Sequence, residues 1–157
     1  YYTALCECRQ GSADDELVYK LELLMNQAGV SVEDRAVVAP ARERAEETGL
    51  PAAAIQLPDG SIVTGKTTAL LGASSAALLN ALKALGGIHK KIHLLPALII
   101  ATTNPTAELA LSQLPKLRGC EAHSSVILSK VDENTFRKLG MNLTCEPQYE
   151  SKKLYHT

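Results

Sequence analysis

The sequence predicts an α/β fold in which helices flank a mixed sheet that contains a β-hairpin. Segments with helical periodicity alternate with short runs of β-forming residues. The run 52–65 reads as a strand (AAAIQL), a Pro-Asp-Gly turn and a second strand (SIVTG). The order helix-strand-helix-strand occurs twice, which suggests two similar halves that share one sheet, although no residue pattern repeats.

The composition indicates one folded domain. The chain has 157 residues, of which 46% are hydrophobic, enough to bury a core. A formal net charge of −1 and the lack of Trp argue against nucleic acid as a partner. Apolar runs are too short to span a membrane, so we expect no membrane partner. The 4 cysteines are too few and too scattered for a disulfide scaffold and favour a cytoplasmic location.

Residues 1–30 are predicted to be a helical linker and a first helix that join the domain to a preceding region. The opening YYTALCECRQ has the pattern of an amphipathic helix and reads as the continuation of an earlier domain. Ser12 followed by Asp15 is typical of an N-cap, and Gly29 predicts the end of the helix. The apolar residues between them recur at helical spacing: Leu17, Leu21, Leu24 and Met25. The remainder, 31–157, is predicted to be the C-terminal α/β domain.

The next part of the chain predicts a helix, the hairpin and a second helix. Ser31 is expected to cap a helix that Gly49 ends, with Pro40 kinking it or lying in its first turns. The charged side of this helix, RERAEE, is interpreted as a solvated face. The run SSAALLNALKAL predicts a buried helix with Ser74 as its N-cap and a glycine pair after it.

The last third predicts three strands and two helices. KIHLL (91–95), HSSVILS and MNLTCEP are expected to be strands. One helix is predicted over 106–117, capped by Asn104 or Thr106. The other is predicted from Asp132 to Leu139 and is followed by a glycine.

One motif raises the question of nucleotide binding. Gly60, Gly65, Lys66 and Thr67 match the spacing G-x-x-x-x-G-K-[ST] of a phosphate-binding P-loop. In a P-loop, a strand runs directly into the first glycine and a helix begins at the lysine. Here the first glycine belongs to a turn and is followed by β-forming residues, so the hairpin is favoured over the P-loop.

A simpler anion site is predicted where GASSAALL begins its helix. Free N–H groups at a helix start favour an anion near Gly72, Ser74 and Ser75, with Lys66 and Thr67 approaching from the hairpin. These five residues are the candidate phosphate-binding residues. The alternative is that Ser74 only caps the helix and Gly72 only permits a tight turn.

Catalytic and metal-binding interpretations have less support. GASSA resembles a nucleophile elbow, with Ser74 as nucleophile, His123 as base and Asp132 as acid, but no strand leads directly into the serine. The C-E-C and C-E-A-H segments supply single pairs of ligands, whereas a zinc site needs three or four. We therefore assign no catalytic residue, no metal site and no cofactor from the sequence.

Long runs of this sequence resemble a bacterial family. The runs 31–88 (SVEDRAVVAP to KALGGI) and 101–156 (ATTNPTAELA to KKLYH) are similar to the C-terminal part of domain of unknown function 1846. The opening YYTALCECRQGSADDE resembles the helix that joins the family's larger N-terminal region to this part. The family has no established activity, and its members carry a GSGK-type loop in that N-terminal region. The resemblance implies a cytoplasmic bacterial protein with its own N-terminal region as a partner.

The resemblance also implies a gap in this chain. Family members carry a few tens of further residues between the strand that matches KIHLLP and the helix that matches ATTNPTAEL. This sequence crosses directly from one to the other near Pro96 and Ala97. We therefore expect an undescribed or deleted segment near 96–97.

Two functions are compatible with these observations. The first is a module that contributes to a phosphate or nucleotide pocket shared with the N-terminal region. The alternative is a non-catalytic oligomerisation module, in which the helices Ala76–Leu85 and Leu109–Leu117 pack against identical copies of the chain. Whether the whole protein is an enzyme stays open, and we expect this chain alone to be inactive.

Overall fold

The computed structural model describes residues 1–92 and 104–150. The α-helices in these ranges are α1 (Tyr2–Arg9), α2 (Asp15–Ala28), α3 (Val38–Thr48), α4 (Ala73–Gly86), α5 (Pro105–Ser112) and α6 (Lys130–Lys138). The strands are β1 (Ala52–Gln56), β2 (Ile62–Lys66), β3 (Glu121–Ser124) and β4 (Asn142–Cys145). Two short 3₁₀ helices span Val32–Asp34 and Leu114–Leu117. The predicted α/β class is confirmed.

The strands form one mixed sheet in the order β2-β1-β3-β4. β1 pairs antiparallel with β2 on one side and with β3 on the other, whereas β3 and β4 are parallel. In the hairpin, Ala52 lies opposite Lys66 and Gln56 lies opposite Ile62. Gly60 adopts φ 88° in the turn, a conformation that residues with a side chain rarely adopt. The predicted hairpin is confirmed, and Lys66 belongs to its second strand.

One face of the sheet forms the main hydrophobic core with α4, α5 and α6. Ala77, Ala81 and Leu82 of α4 pack there with Ile55 of β1 and Phe136 of α6. The small side chains on α4 allow this helix to approach the sheet closely. The apolar residues that α4 was predicted to offer to other copies are therefore largely used in the chain's own core.

The opposite face of the sheet is covered by α3 and α1. Val37 and Ala41 pack on Ala54, whose neighbour Ile55 lies in the main core. This division follows from the strand geometry, in which successive side chains point to opposite faces. The apolar contact on this face is small, and polar side chains form much of the remaining contact.

Some helix boundaries differ from the predictions because of caps and prolines. The helix predicted from Ser31 is two elements, since Ser31 caps a 3₁₀ turn and α3 begins only at Val38. Pro40 lies in the first turn of α3, as one of the two predicted positions. The N-cap of α2 is Asp14 rather than Ser12. Ser74 is not the N-cap of α4, because Gly72 holds that position.

Differences also occur in the last third. Asn104 caps α5 as predicted, and its Oδ1 accepts from the N–H groups of the first turn. The helix ends early at Ser112, and the next turn, which contains Pro115, is a separate 3₁₀ helix. β3 starts at Glu121 and ends at Ser124, so most of HSSVILS is not a strand. The predicted strand KIHLL falls mostly outside the described residues, and the two similar halves stay a prediction.

Gly65, the second glycine of the P-loop-like motif, permits close packing between β2 and α4. A Cβ atom added to Gly65 would lie 2.2 Å from the backbone nitrogen of Ala77. Beside it, Asn80 of α4 donates from Nδ2 to the carbonyl oxygen of Thr64 at 2.8 Å. The α4 backbone thus occupies the space in front of Gly65, which explains the glycine without a phosphate.

We predict that Gly65→Ala destabilises the domain. The added methyl group has to displace the α4 backbone, and overpacking of this kind costs about 1–3 kcal/mol of unfolding free energy. Gly86→Ala is the matched control, since its Cβ would meet only side chains at 3.4 Å or more, at ordinary contact distance. Urea denaturation of both variants measures the difference. Equal stability of the two variants would contradict the packing role of Gly65.

Candidate functional site

The five residues predicted to bind phosphate lie on two sides of the sheet. Gly72, Ser74 and Ser75 lie at the beginning of α4, and Ser74 is buried. Lys66 is exposed at the end of β2. It lies two residues after Thr64 and therefore on the same face of the sheet, which is the face that α3 covers. The N–H of Thr67 donates to the carbonyl of Pro51 and extends the hairpin. The structure therefore brings the three α4 residues together, while the Lys66 side chain starts from the opposite face.

A different group of polar side chains converges between α1, α3 and the β3–β4 side of the sheet. We call it the His123 cluster. Its central residue, His123 in β3, is fully buried and lies opposite Ala54 of β1, on the face covered by α3. The members of the cluster are Tyr2, Glu33, Arg35, Arg42, Glu121, His123, Thr144 and Glu146.

Glu146, just after β4, contacts three other members of the cluster through one oxygen atom. Its Oε1 accepts from Nε of Arg42 at 2.6 Å and from the hydroxyl of Tyr2 at 3.0 Å. Nε2 of His123 lies 3.1 Å from the same oxygen. Arg42 also donates from Nη2 to the Tyr2 hydroxyl at 2.7 Å and from Nη1 to Glu33 at 3.1 Å. These bonds connect α1, α3, β3 and the segment after β4.

The other side of His123 is closed by Thr144 and Arg35. Nδ1 of His123 lies 2.7 Å from Oγ1 of Thr144, which accepts a hydrogen bond from Nη1 of Arg35. Arg35 also donates from Nη2 to Oε2 of Glu121 at 2.6 Å. A carboxylate can only accept, so the Nε2–H of His123 donates to Glu146 and Nδ1 accepts from the Thr144 hydroxyl. One tautomer of neutral histidine satisfies both contacts.

The pKa shifts agree with this arrangement. Burial lowers the pKa of His123 and outweighs the opposite effect of Glu146. Burial raises the pKa of Glu146, but hydrogen bonds from Arg42, His123 and Tyr2 outweigh it and leave the pKa below its usual value. Burial, together with Glu146, raises the pKa of Tyr2 to about 12. At neutral pH the cluster therefore holds an ionised Glu146, a neutral His123 and a protonated Tyr2.

The cluster is built to hold elements together rather than to react. Arg42 is paired with Glu146 and Glu33, and Arg35 is paired with Glu121. His123 has no exposed surface through which a substrate could reach it. Its ring partners are Thr144 and Glu146, so the triad with Ser74 and Asp132 considered from the sequence does not form.

The sequence contains a signal for the His123 cluster that motif searching missed. Polar residues occupy alternate positions of the two last strands, at Glu121 and His123 and again at Asn142, Thr144 and Glu146. With a period of two, these positions share one face of the sheet. Two neighbouring strands with such polar faces indicate a hydrogen-bonded network beneath a helix. The RERAEE run, interpreted as solvated, contributes Arg42 to it.

Metal and membrane sites receive no support within the described residues. Over 1–92 and 104–150, no three His, Cys, Asp or Glu side chains lie close enough together to bind a metal ion. Nor does any helix in these two ranges have the length and hydrophobicity to cross a membrane.

We predict that the stability of the fold decreases as the pH falls below about 6.5, the ordinary pKa of histidine. His123 has a lowered pKa in the fold, so the unfolded chain binds the proton more readily. The stabilisation that neutral His123 gives the fold is complete above about pH 6.5, and it is lost as the pH falls through the pKa of His123 in the folded state. Glu146 acts in the same direction below about pH 4.3, because its folded pKa is also lowered.

Thermal unfolding between pH 7.5 and 5 tests this prediction. His123→Gln should flatten the dependence of stability on pH in this window, whatever its effect on absolute stability. His89→Gln, at an exposed position, is the control for the loss of an imidazole elsewhere in the chain. A wild-type curve that is flat from pH 7.5 to 5 would contradict the assignment of a neutral, buried His123.

Comparison with known proteins identifies the family. The family model described as domain of unknown function DUF1846, C-terminal, matches residues 33–102 and 97–155. A UPF0371 protein of Corynebacterium efficiens is 44% identical over 185 residues, which cover 99% of this chain and 37% of that protein. A UPF0371 protein of Streptococcus pyogenes serotype M3 is 40% identical with the same coverage.

The chain thus spans 37% of the length of these curated relatives, and a further region exists in them. The domain matched by the family model begins at residue 33, so α1 and α2 precede it. Those two helices nevertheless have counterparts in the relatives, which align with 99% of the chain. The chain belongs to the UPF0371 family and contains the C-terminal domain of DUF1846.

Proposed function

We propose that this chain is the C-terminal module of a longer protein and that α1 holds the preceding region in a fixed orientation. The relatives support this proposal, because they extend well beyond this chain and because α1 and α2 precede the part that the C-terminal family model matches. The observation that carries it is the attachment of α1 to the sheet through Tyr2. Tyr2 is the first residue of α1, so its bonds fix the point at which a preceding region would enter the domain.

Two residues attach α1 to the domain. Tyr2 is 5% exposed, hydrogen-bonds through its hydroxyl to Glu146 and Arg42, and packs its ring 4.7 Å from that of His123. One turn later, Sγ of Cys6 donates to the carbonyl oxygen of Cys145 at 3.2 Å. Residues four apart lie on the same side of a helix, so both contacts secure one side of α1.

The chemistry of the cluster supports a positioning role over a catalytic one. Its arginines are paired with carboxylates and its histidine is buried, so no charged group is free to act on a substrate. These charge pairs are partly exposed and add little net stability, but their shared hydrogen bonds are directional. Such a network therefore favours one arrangement of α1 against the alternatives.

We predict that Tyr2→Phe loosens α1. The variant keeps the ring but removes the hydroxyl that bonds Glu146 and Arg42, which should cost about 1–2 kcal/mol of unfolding free energy. Tyr19→Phe, at a position that is 62% exposed, is the matched control and should cost nothing measurable. Urea denaturation and hydrogen exchange of the α1 amides provide the measurement.

The orientation itself is tested in a full-length family protein that carries this chain. Spin labels on the C-terminal domain and on the preceding region should give a narrow distance distribution. Tyr2→Ala should broaden it, because α1 loses both its hydroxyl bonds and its ring contact, whereas Tyr19→Ala should not. An unchanged distribution in the Tyr2 variant would reject the positioning role.

A second candidate is the predicted phosphate or nucleotide site at the beginning of α4. Gly72 is the N-cap of this 14-residue helix, and no side chain caps the first N–H groups. Uncapped N–H groups and the helix dipole favour an anion there, and Ser75 lies in the first turn of the helix. The Lys66 side chain leaves β2 on the face opposite α4. The positive charge that a phosphate site needs would therefore have to come from the preceding region. Oligomerisation has less support, because α4 buries much of its apolar surface internally.

We predict that phosphate or ATP raises the melting temperature if this second site is real. A ligand at 100 times its dissociation constant adds about 2.7 kcal/mol to the unfolding free energy. Gly72→Asp should abolish the response, because an aspartate at the N-cap supplies its own carboxylate to the same N–H groups. Lys66→Ala tests whether the lysine takes part. No response in either the chain or the full-length protein would remove the phosphate hypothesis.

A further inference from the structure

α2 is a well-formed amphipathic helix whose apolar side is only partly covered by the described residues, since Val18, Leu21 and Met25 are half-buried while Leu17 and Leu24 are exposed. Asp14 caps its beginning and Gly29, at φ 70°, ends it, yet none of its 14 residues is buried. One side carries apolar residues at helical spacing, and we call this side the α2 stripe. Its members are Leu17, Val18, Leu21, Leu24, Met25 and Ala28. Leu17 is 43% exposed and Leu24 is 58% exposed.

The contacts of α2 with the other described residues are too few to explain its stability. Its main packing partner is α1, and the Tyr1 hydroxyl donates to Glu22 at 2.8 Å. An isolated helix of this length is marginal in water, because most helical stability in proteins comes from packing an apolar side. The α2 stripe therefore requires a surface that lies outside the described residues.

We propose that the α2 stripe docks onto the region that precedes this domain in the longer family proteins. This inference rests on the proposed module function and names its interface. Most of the length of each relative lies outside this chain, and the C-terminal domain proper begins only at residue 33. α2 thus belongs to the stretch that connects the two parts, next to the helix that Tyr2 anchors.

The distribution of charge on α2 defines the chemistry of the surface that receives it. Charged residues lie away from the stripe, and Lys20 pairs with Glu16 at 3.3 Å on the outer side of the helix. Both side chains of that pair are about two-thirds exposed or more, at 66% and 71%. The receiving surface is therefore an apolar groove that takes one side of a helix, with the charged side left in water.

Two double variants test the inference, each of which replaces two exposed residues of α2 by glutamate. Leu17→Glu with Leu24→Glu places charge on the α2 stripe. Tyr19→Glu with Leu23→Glu places the same charge on the other side, at residues that are 62% and 43% exposed. Since all four positions are exposed in this chain, both variants of the chain alone should keep the wild-type helix content and urea midpoint. A loss of folding in the chain alone would show that the stripe is needed internally and would overturn the inference.

The decisive measurement is hydrogen exchange of the α2 amides in a full-length family protein that carries this chain. We expect at least tenfold slower exchange there than in the chain alone, and loss of that protection in the stripe variant only. Equal exchange in the two proteins, or equal loss in both variants, would overturn the docking inference. Sedimentation of the chain alone tests the alternative that a second copy of the chain covers α2. A dimer that only the stripe variant dissociates would show this and would overturn the docking inference.

The outcomes for Tyr2 and for the stripe separate the two proposals. If Tyr2→Ala broadens the distance distribution while the stripe variant changes nothing, α1 positions the preceding region and the docking inference fails. If the stripe variant removes α2 protection while Tyr2→Ala has no effect, the interface is real and the anchoring role of Tyr2 fails.

Discussion

The carboxylate of Glu146 is the interaction on which the α1 and α3 side of the domain depends. One oxygen of this group accepts from Arg42, Tyr2 and His123, which come from three different elements. A carboxylate that is mostly removed from water, as Glu146 is at 14% exposure, is tolerated only when its hydrogen bonds are made, because desolvation is costly. The positions of α1 and α3 on the sheet are therefore linked, since moving either one would leave the carboxylate short of a donor.

The two faces of the sheet have different physical roles. The face toward α4 and α6 is apolar and closely packed, with Gly65 allowing two backbones to approach. Burial of apolar area there provides most of the driving force for folding. The face toward α1 has few apolar contacts and is held by directional bonds. Directional bonds select one orientation, which is the property that a connection between two parts of a longer protein requires.

Much of the fold could be predicted because its signals are local. The turn at 58–60 and the alternation of strand residues predicted the hairpin, and Gly29 predicted the end of α2. The candidate site was less predictable. The sequence spacing of Gly65 and Lys66 matches a phosphate-binding motif. In the structure the two residues are adjacent in β2, so they face opposite sides of the sheet. A pattern of spacing does not contain that information until the element type and its neighbours are known.

From the sequence alone, the class of the fold, the hairpin, the glycines that end α2, α3 and α4 and the family resemblance were determined, because turns, glycine stops and periodicity act between residues a few positions apart. Only the tertiary structure decided that His123 binds Glu146 and that Tyr2 joins them, since the Tyr2 and Glu146 bond spans 144 positions. It also decided that α4 buries its apolar residues in the internal core, while the described residues cover only part of the α2 stripe. Such facts depend on which surfaces meet in space, and amphipathic helices of similar pattern cannot be told apart before they pack.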